Sequence, residues 1–369
     1  MFEIIVDSAA NIPAEHVEKY RIHVIPFINY MGNREIPGFE PGLTPEEERA
    51  HGKLYYDAIR AGAEVKTSLI NSAGFEENFE PFLKEGKDIL YISLSSNISG
   101  TYNAARIAAD SLREKYPDRR VCLVNSLNAS LAQGILAIYA RELQEKGYDL
   151  KEIADVLQET AHSMNGTFTV DDLKYLAKTG RLHNATAKIG NLLNIKPILR
   201  GNAEGFIVQF RLCRGRKKSL NALADYVCDN IVQPLKQIIG IAHADSYEDS
   251  LYVMKRITDR IKVREFINTS YDFCTGSHVG PDTIALFVIN GISATVWFRL
   301  PTLTMLKLIG FIFVFRFTTQ RTSRSCCISS LRITSTAASE LLMARSEYRF
   351  LPSSRRRTTS FSSYRLGSL

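Results

Sequence analysis

Hydroxyl side chains able to hold an anion recur at three places in this 369-residue chain. The densest is Ser95-Ser96-Asn97-Ile98-Ser99-Gly100-Thr101-Tyr102; the others are Thr67-Ser68 and Asp7-Ser8. A lone imidazole, His278, stands in Ser277-His278-Val279-Gly280-Pro281. Hydroxyls donate hydrogen bonds to carboxylate or phosphate oxygens. A helix start beside them adds unpaired N–H groups and the positive end of a dipole. Two chemistries fit. One is the holding of an anion. The other is attack by Ser99 with His278 as base and Asp7 as its orienting acid, which would make a lipid or ester hydrolase. The turn Ser96-Asn97-Ile98-Ser99-Gly100 lacks the first glycine of a nucleophile elbow, which favours the anion. Each feature also has a purely structural reading, because hydroxyls cap helices and glycine turns the chain.

The elements that position these residues follow from local pattern. Residues 88–94 form an apolar, β-rich run, a buried strand, and residues 103–109 are Ala-rich and helical. The Ser95–Tyr102 stretch therefore lies on a strand-to-helix turn. Residues 2–6 form a first strand ending at Asp7, where open α/β sheets place ligand sites. Residues 21–30 are extended, with Pro26 against a central strand position, and residues 32–42 read as a loop. Thr44-Pro45-Glu46-Glu47 opens a helix with a cap, a first-turn proline and early acids. Thr67-Ser68 precedes a helix starting near residue 72. A strand at 120–125 and helices at 129–146 and 149–164 complete an alternation that predicts a doubly wound, mostly parallel sheet.

A second α/β segment follows. It has a strand at 166–170, a helix from 171, the turn Lys178-Thr179-Gly180-Arg181-Leu182 and a short helix over 185–193. Strands at 195–199 and 205–212 form a hairpin. The basic cluster Arg214-Gly215-Arg216-Lys217-Lys218 opens a helix to 231. A strand at 238–242, a helix at 248–261, a strand at 263–268 and a last strand at 283–289 close the segment. The expected organisation is an N-terminal domain over 1–164, a smaller C-terminal α/β domain over 165–289 and an unrelated tail over 290–369.

Charge separates the tail from the rest. It holds twelve Lys and Arg against two acids, a net +10, which leaves the first 289 residues at −3 of the chain's +7. The basic balance therefore belongs to the tail and does not argue that the body binds nucleic acid. The tail is rich in Ser, Thr and Arg with little periodicity, which predicts disorder. Three readings compete for it: a non-native extension from a shifted frame or faulty gene end, a membrane-surface or partner-binding appendage, and a nucleic-acid-binding tail. The six cysteines form no CxxC pair, which fits reduced thiols in a core and not a disulfide frame. The chain enters its first strand at once and has no apolar run long enough to span a bilayer, so a cytoplasmic protein is expected. No Walker loop and no paired His/Cys ligands occur, so neither ATP nor a metal is expected on this chain.

From residue 2 to about 289 the chain resembles the DegV family, bacterial fatty-acid-binding proteins that serve as the binding subunit of fatty acid kinase. The pieces that carry the resemblance, in order, are Asp7-Ser8, Thr67-Ser68, the Ser95–Tyr102 stretch, Gly180-Arg181-Leu182, Ile195-Lys196-Pro197-Ile198-Leu199, Arg214-Gly215-Arg216-Lys217-Lys218 and His278-Val279-Gly280-Pro281. The tail has no counterpart. Departures are Leu69-Ile70 after Thr67-Ser68, and the variants Leu182 and Asp282; none removes a hydroxyl donor.

The resemblance implies a DegV-like fold of two domains that buries one long-chain fatty acid, such as palmitate, between them. It implies that the carboxylate meets Thr67, Ser68, Ser99 and Gly100 near His278, with Ser95, Ser96 and Asp7 in support. Arg181 and Arg214 would face a kinase subunit that binds ATP and phosphorylates the carboxylate for phospholipid metabolism. The chain itself would carry no catalytic residue and no cofactor beyond its fatty acid, and transient contact with a membrane surface is compatible with that role. The physics agrees. Burying a bare carboxylate is costly, and hydroxyl and N–H donors hold it without a fixed counter-charge. The acyl chain supplies affinity at about 0.8 kcal/mol per buried CH₂.

Overall fold

The structure, a computed structural model, describes residues 2–183 and 194–290. In chain order the first half runs β1 (Phe2–Asp7), α1 (Ala14–Lys19), β2 (His23–Ile25), β3 (Ile28–Met31), β4 (Arg34–Pro37), α2 (Pro45–Arg60), β5 (Val65–Ser68), α3 (Ser72–Lys84), β6 (Asp88–Ser93), α4 (Thr101–Lys115), β7 (Val121–Asn125), α5 (Leu131–Glu145) and α6 (Leu150–Ala161). The second half runs β8 (Met164–Thr169), α7 (Lys174–Lys178), β9 (Ile195–Gly201), β10 (Ile207–Arg214), α8 (Arg216–Asn230), β11 (Ile238–His243), α9 (Tyr247–Thr258), β12 (Glu265–Ser270), α10 (Phe273–Val279) and β13 (Ile284–Ile289). The expected helix over 185–193 and the tail beyond 290 lie outside the described residues.

β2, β1, β6 and β7 form a four-stranded parallel sheet in that order. Its strands alternate between two buried faces. Ile5, Ile89 and Tyr91 pack with Phe75, Phe79 and Leu112 of α3 and α4. Ile4, Val6, Leu90 and Ile92 pack into the larger core with α5 and α6. Both faces are covered, as parallel sheets require. The second sheet has the order β10-β9-β8-β13-β11-β12 and is mixed: only β11 and β12 run parallel. Its outer face packs on α8 and α9 through Leu220, Leu223, Val253 and Ile257.

Between the two sheets lies α5. It is apolar on nearly every side, the composition of a helix with no solvent face, and twelve of its fifteen residues are buried. It meets β1 on one side and β11 on the other. Close approach needs glycine on both partners. A Cβ on Gly134 would stand 2.7 Å from the Ala10 carbonyl, and one on Gly240 would stand 2.9 Å from Leu131 Cβ.

Three features depart from the sequence pattern. The segment expected to be a loop at 32–42 contains β4, and β4-β3-β5 form a small antiparallel sheet. The extended run at 21–30 breaks at Pro26 into β2 and β3, which belong to different sheets. His278 stands on the last turn of the short helix α10, an element the sequence did not announce.

Candidate functional site

β1 leads to β2 on one side, and the chain returns to β6 on the other. The crevice outside the ends of β1 and β6 is thus a topological switch point, where open α/β sheets place ligands. At the end of β6, Leu94 and the turn to α4 form one wall of a cavity through Leu94, Ile98, Ser99 and Gly100. The opposite wall is Thr67 of β5 with Cys274 and His278 of α10. Arg181, Leu176 and Ile207 complete the rim from the second half of the chain.

Local structure explains each placement. β5 alternates, so Val65 and Thr67 turn inward while Lys66 and Ser68 are exposed. The structure therefore brings Thr67 into the cavity and leaves Ser68 outside it, its Oγ only 3.5 Å from the Leu69 carbonyl. Ser99 Oγ lies 2.8 Å from Thr101 Oγ1 and accepts from the Thr101 N–H at 3.3 Å. The cap of α4 is Gly100, which has no side chain to close the first turn, so that end of the helix is open toward the cavity. α10 is held by its cap: Asp272 Oδ1 accepts from the Thr275 N–H at 2.8 Å. Cys274 and His278 are four residues apart on this helix and share a face. Gly276 lets α10 reach α2, since a Cβ there would overlap the Tyr56 hydroxyl at 1.9 Å.

The cavity end is polar but uncharged apart from Arg181. His278 Nε2 faces Thr67 Oγ1 at 3.3 Å, and its buried Nδ1 has no partner. Burial, reinforced by the Arg181 charge, lowers the imidazole to about 4, so it is neutral at pH 7. Burial raises the Cys274 thiol well above its usual range, which keeps it protonated and inert. Across the ladder from Thr67 stands Asn29, fully buried with neither amide atom bonded.

The other sequence-predicted residues have structural partners. Ser95 Oγ donates to the Gly205 carbonyl at 2.9 Å, and Asn97 Nδ2 donates to the Glu204 carbonyl at 2.6 Å, so this turn docks the β9–β10 hairpin. Ser96 Oγ accepts from Asn125 Nδ2 at 2.8 Å. Asp7 lies behind the cavity wall, with Oδ2 accepting from the Tyr91 hydroxyl at 2.6 Å and from Gln133 Nε2 at 3.1 Å. Arg181 lines the cavity and donates to the Thr179 carbonyl at 2.6 Å. Arg214 does not line it; its side chain is exposed on a separate groove with Arg211 and Lys218. Ser99, His278 and Asp7 are each bonded to other groups, so no Ser–His–Asp relay is formed. Among the described residues no cluster suits a metal ion, and no helix is long and apolar enough to cross a membrane.

A second chamber adjoins the first and shares Ile98, Ala129, Ile207, Thr275 and Val279 with it. Its far walls are Gly166 and Phe168 of β8, Gly201 of β9 and Phe287 of β13. Sequence reading missed these and Cys274. The one available signal was the i, i+4 spacing of Cys274 and His278, legible only once α10 is known.

Fold and site define an α/β protein of two large sheets and one small one, with adjoining, mainly apolar cavities, one of them bordered by hydroxyl and imidazole groups. The chain belongs to the DegV family: the family model described as "Uncharacterised protein, DegV family" matches residues 1–291. A DegV domain-containing protein of Clostridium perfringens is 37% identical over 290 residues, covering 78% of this chain and 97% of that protein. Among solved structures, a DegV lipid-binding protein from Thermotoga maritima aligns with a TM-score of 0.67 and 29% identity, covering 79% of this chain and 99% of that one. DegV of Bacillus subtilis, described as a fatty acid binding protein, aligns with a TM-score of 0.67 and 27% identity over the same shares.

Proposed function

We propose that the chain carries one long-chain fatty acid, with its carboxylate at Thr67, Ser99, Gly100 and His278 and its acyl chain in the passage behind them. The observation that carries this reading is the adjacency of two cavities with shared walls, one with hydroxyls and a neutral imidazole, the other with aliphatic and aromatic walls. The fatty-acid binding described for the Bacillus subtilis relative supports it. An unbonded Nδ1, two hydroxyls and an open helix start give a carboxylate its donors, and donors without a fixed counter-charge hold it less tightly than an ion pair would. That suits a carrier which presents the carboxylate to an ATP-dependent kinase subunit for acyl-phosphate formation. Arg181 at the rim suits that contact; Arg214, on its own groove, serves it as a separate contact. The chain has no turnover of its own in this scheme and acts in the cytoplasm.

Mass spectrometry of natively extracted protein tests the binding: a co-purifying long-chain acid is expected, and an empty protein that also fails to take up added palmitic acid rejects the reading. Mixing with ATP and the kinase subunit, with acyl phosphate trapped by hydroxylamine, tests the partnership. Product is expected only when both chains are present. Release of acid from an added ester by the chain alone, lost in Ser99→Ala, favours a hydrolase instead.

A further inference from the structure

The deep chamber is not purely hydrocarbon in character. Ser130 lines it, is 1% exposed, and has a buried Oγ with no hydrogen-bond partner. Its backbone is held at φ 58° and ψ −145°, a conformation that side-chain-bearing residues rarely adopt and that concentrates at functional sites. The Tyr271 phenol, on a residue 4% exposed, also lines the chamber and stands beside the Ser130 hydroxyl. Asn128 adds a third polar group; its Nδ2 is committed to the Met164 carbonyl at 3.0 Å, while its Oδ1 lies against Gly166 and Gly201.

An unsubstituted alkyl tail in this chamber would face two hydroxyls it cannot bond. Leaving a buried hydroxyl unpaired is more costly than the net gain from pairing it. A ligand oxygen placed there would give Ser130 a partner with the Tyr271 phenol in reach, since a hydroxyl both donates and accepts. A purely structural role leaves a puzzle, because alanine at position 130 would fill the same space without a buried, unpartnered hydroxyl.

We propose that Ser130 and Tyr271 recognise an oxygen on the acyl chain, so that the ligand class of this protein is hydroxylated long-chain fatty acids. This rests on the carrier reading. Ser99, Thr67 and His278 would hold the carboxylate, and the Ser130–Tyr271 pair would hold the chain hydroxyl.

The test uses delipidated full-length protein titrated with stearic acid and with monohydroxystearic acids whose hydroxyl moves carbon by carbon along the chain. One position is expected to bind about five- to tenfold more tightly than stearic acid, the net value of one or two buried hydrogen bonds. Ser130→Ala and Tyr271→Phe should each bring that ratio toward one, with thermal melts confirming that the variants fold. The inference is overturned if stearic acid binds and no hydroxylated position binds more tightly, the result expected if water fills the chamber. It is equally overturned if the preference survives in both variants. If neither stearic acid nor any hydroxylated acid binds, the carrier reading itself fails.

Discussion

The Asp7 carboxyl is buried and the His278 imidazole half-buried, both are shifted by desolvation, and both lie close to the ends of the N-terminal strands. They differ in how their hydrogen-bonding capacity is used. Asp7 accepts from Tyr91, Gln133 and its own Ala9 N–H, and ties β1, β6 and α5 together. His278 has one facing hydroxyl and one bare nitrogen, and it borders a cavity. A satisfied buried group is architecture; an unsatisfied one beside open space is a place for a ligand. The difference separates the two residues although the sequence offers them as members of one site.

The largest expected effect would test that division at Asp7. Asp7→Ala leaves the Tyr91 hydroxyl and the Gln133 amide without their acceptor, and should cost about 3–5 kcal/mol of stability by chemical denaturation. A cost under about 1 kcal/mol would show that the hub is not structural.

The next effect is in pH dependence, where the two groups should act with opposite sign. Burial lowers His278 to about 4 from an ordinary 6.5. The unfolded chain therefore takes up this proton first, and stability present above 6.5 is lost as pH falls toward 4. Burial raises Asp7 from 3.8 to about 6, with the Tyr91 and Gln133 bonds opposing. Its folded form prefers the proton, so that contribution is present below 3.8 and lost as pH rises through 6. Each amounts to roughly 3 kcal/mol at full extent. Because His243 and Asp272 carry shifts of the same directions, stability measured from pH 4 to 8 should show a shallower acid-side slope in His278→Asn and a shallower opposing slope in Asp7→Asn. Identical profiles for the two variants would refute the contrast.

Affinity should respond next. Thr67→Val and Ser99→Ala each remove one donor to a bound carboxylate, worth about 1.5–2 kcal/mol, or roughly ten- to thirtyfold in Kd for palmitic acid. Unfolding midpoints should move little by comparison. The smallest effect sharpens the same point one residue away. Ser68→Ala removes an outward hydroxyl and should change affinity by less than about twofold. A loss equal to that of Thr67→Val would put both hydroxyls in the site.

Much of this was legible in the sequence because it is written locally. The run at 88–94, the glycine and the Ala-rich helix place Ser99 on a strand–helix turn whatever the rest of the chain does. The hairpin at 195–214 is announced in the same way. What was not legible depends on partners far away in sequence. Arg34-Glu35-Ile36-Pro37 is polar and short, and becomes β4 only by pairing with β3. α10 has seven residues with Gly276 inside it, a poor helix by propensity, and is held by the Asp272 cap and its packing on Tyr56. Ser68 was grouped with Thr67 because adjacency in sequence carries no face until the strand is known. The deep walls come from Phe168, Gly201 and Phe287, three strands with no motif among them.

The double burial of α5 has a kinetic consequence. A helix gripped by a sheet on each side acts as a keel, because parting the halves of the molecule would strip apolar surface from both flanks at once. Exchange of the proposed ligand by a hinge across that helix would be costly. It falls to the short peripheral elements around the mouth, β5 with four residues and α10 with seven. Local opening there exposes far less surface. The residence time of the proposed cargo would then be set by how often these two small elements loosen while the keel stays intact.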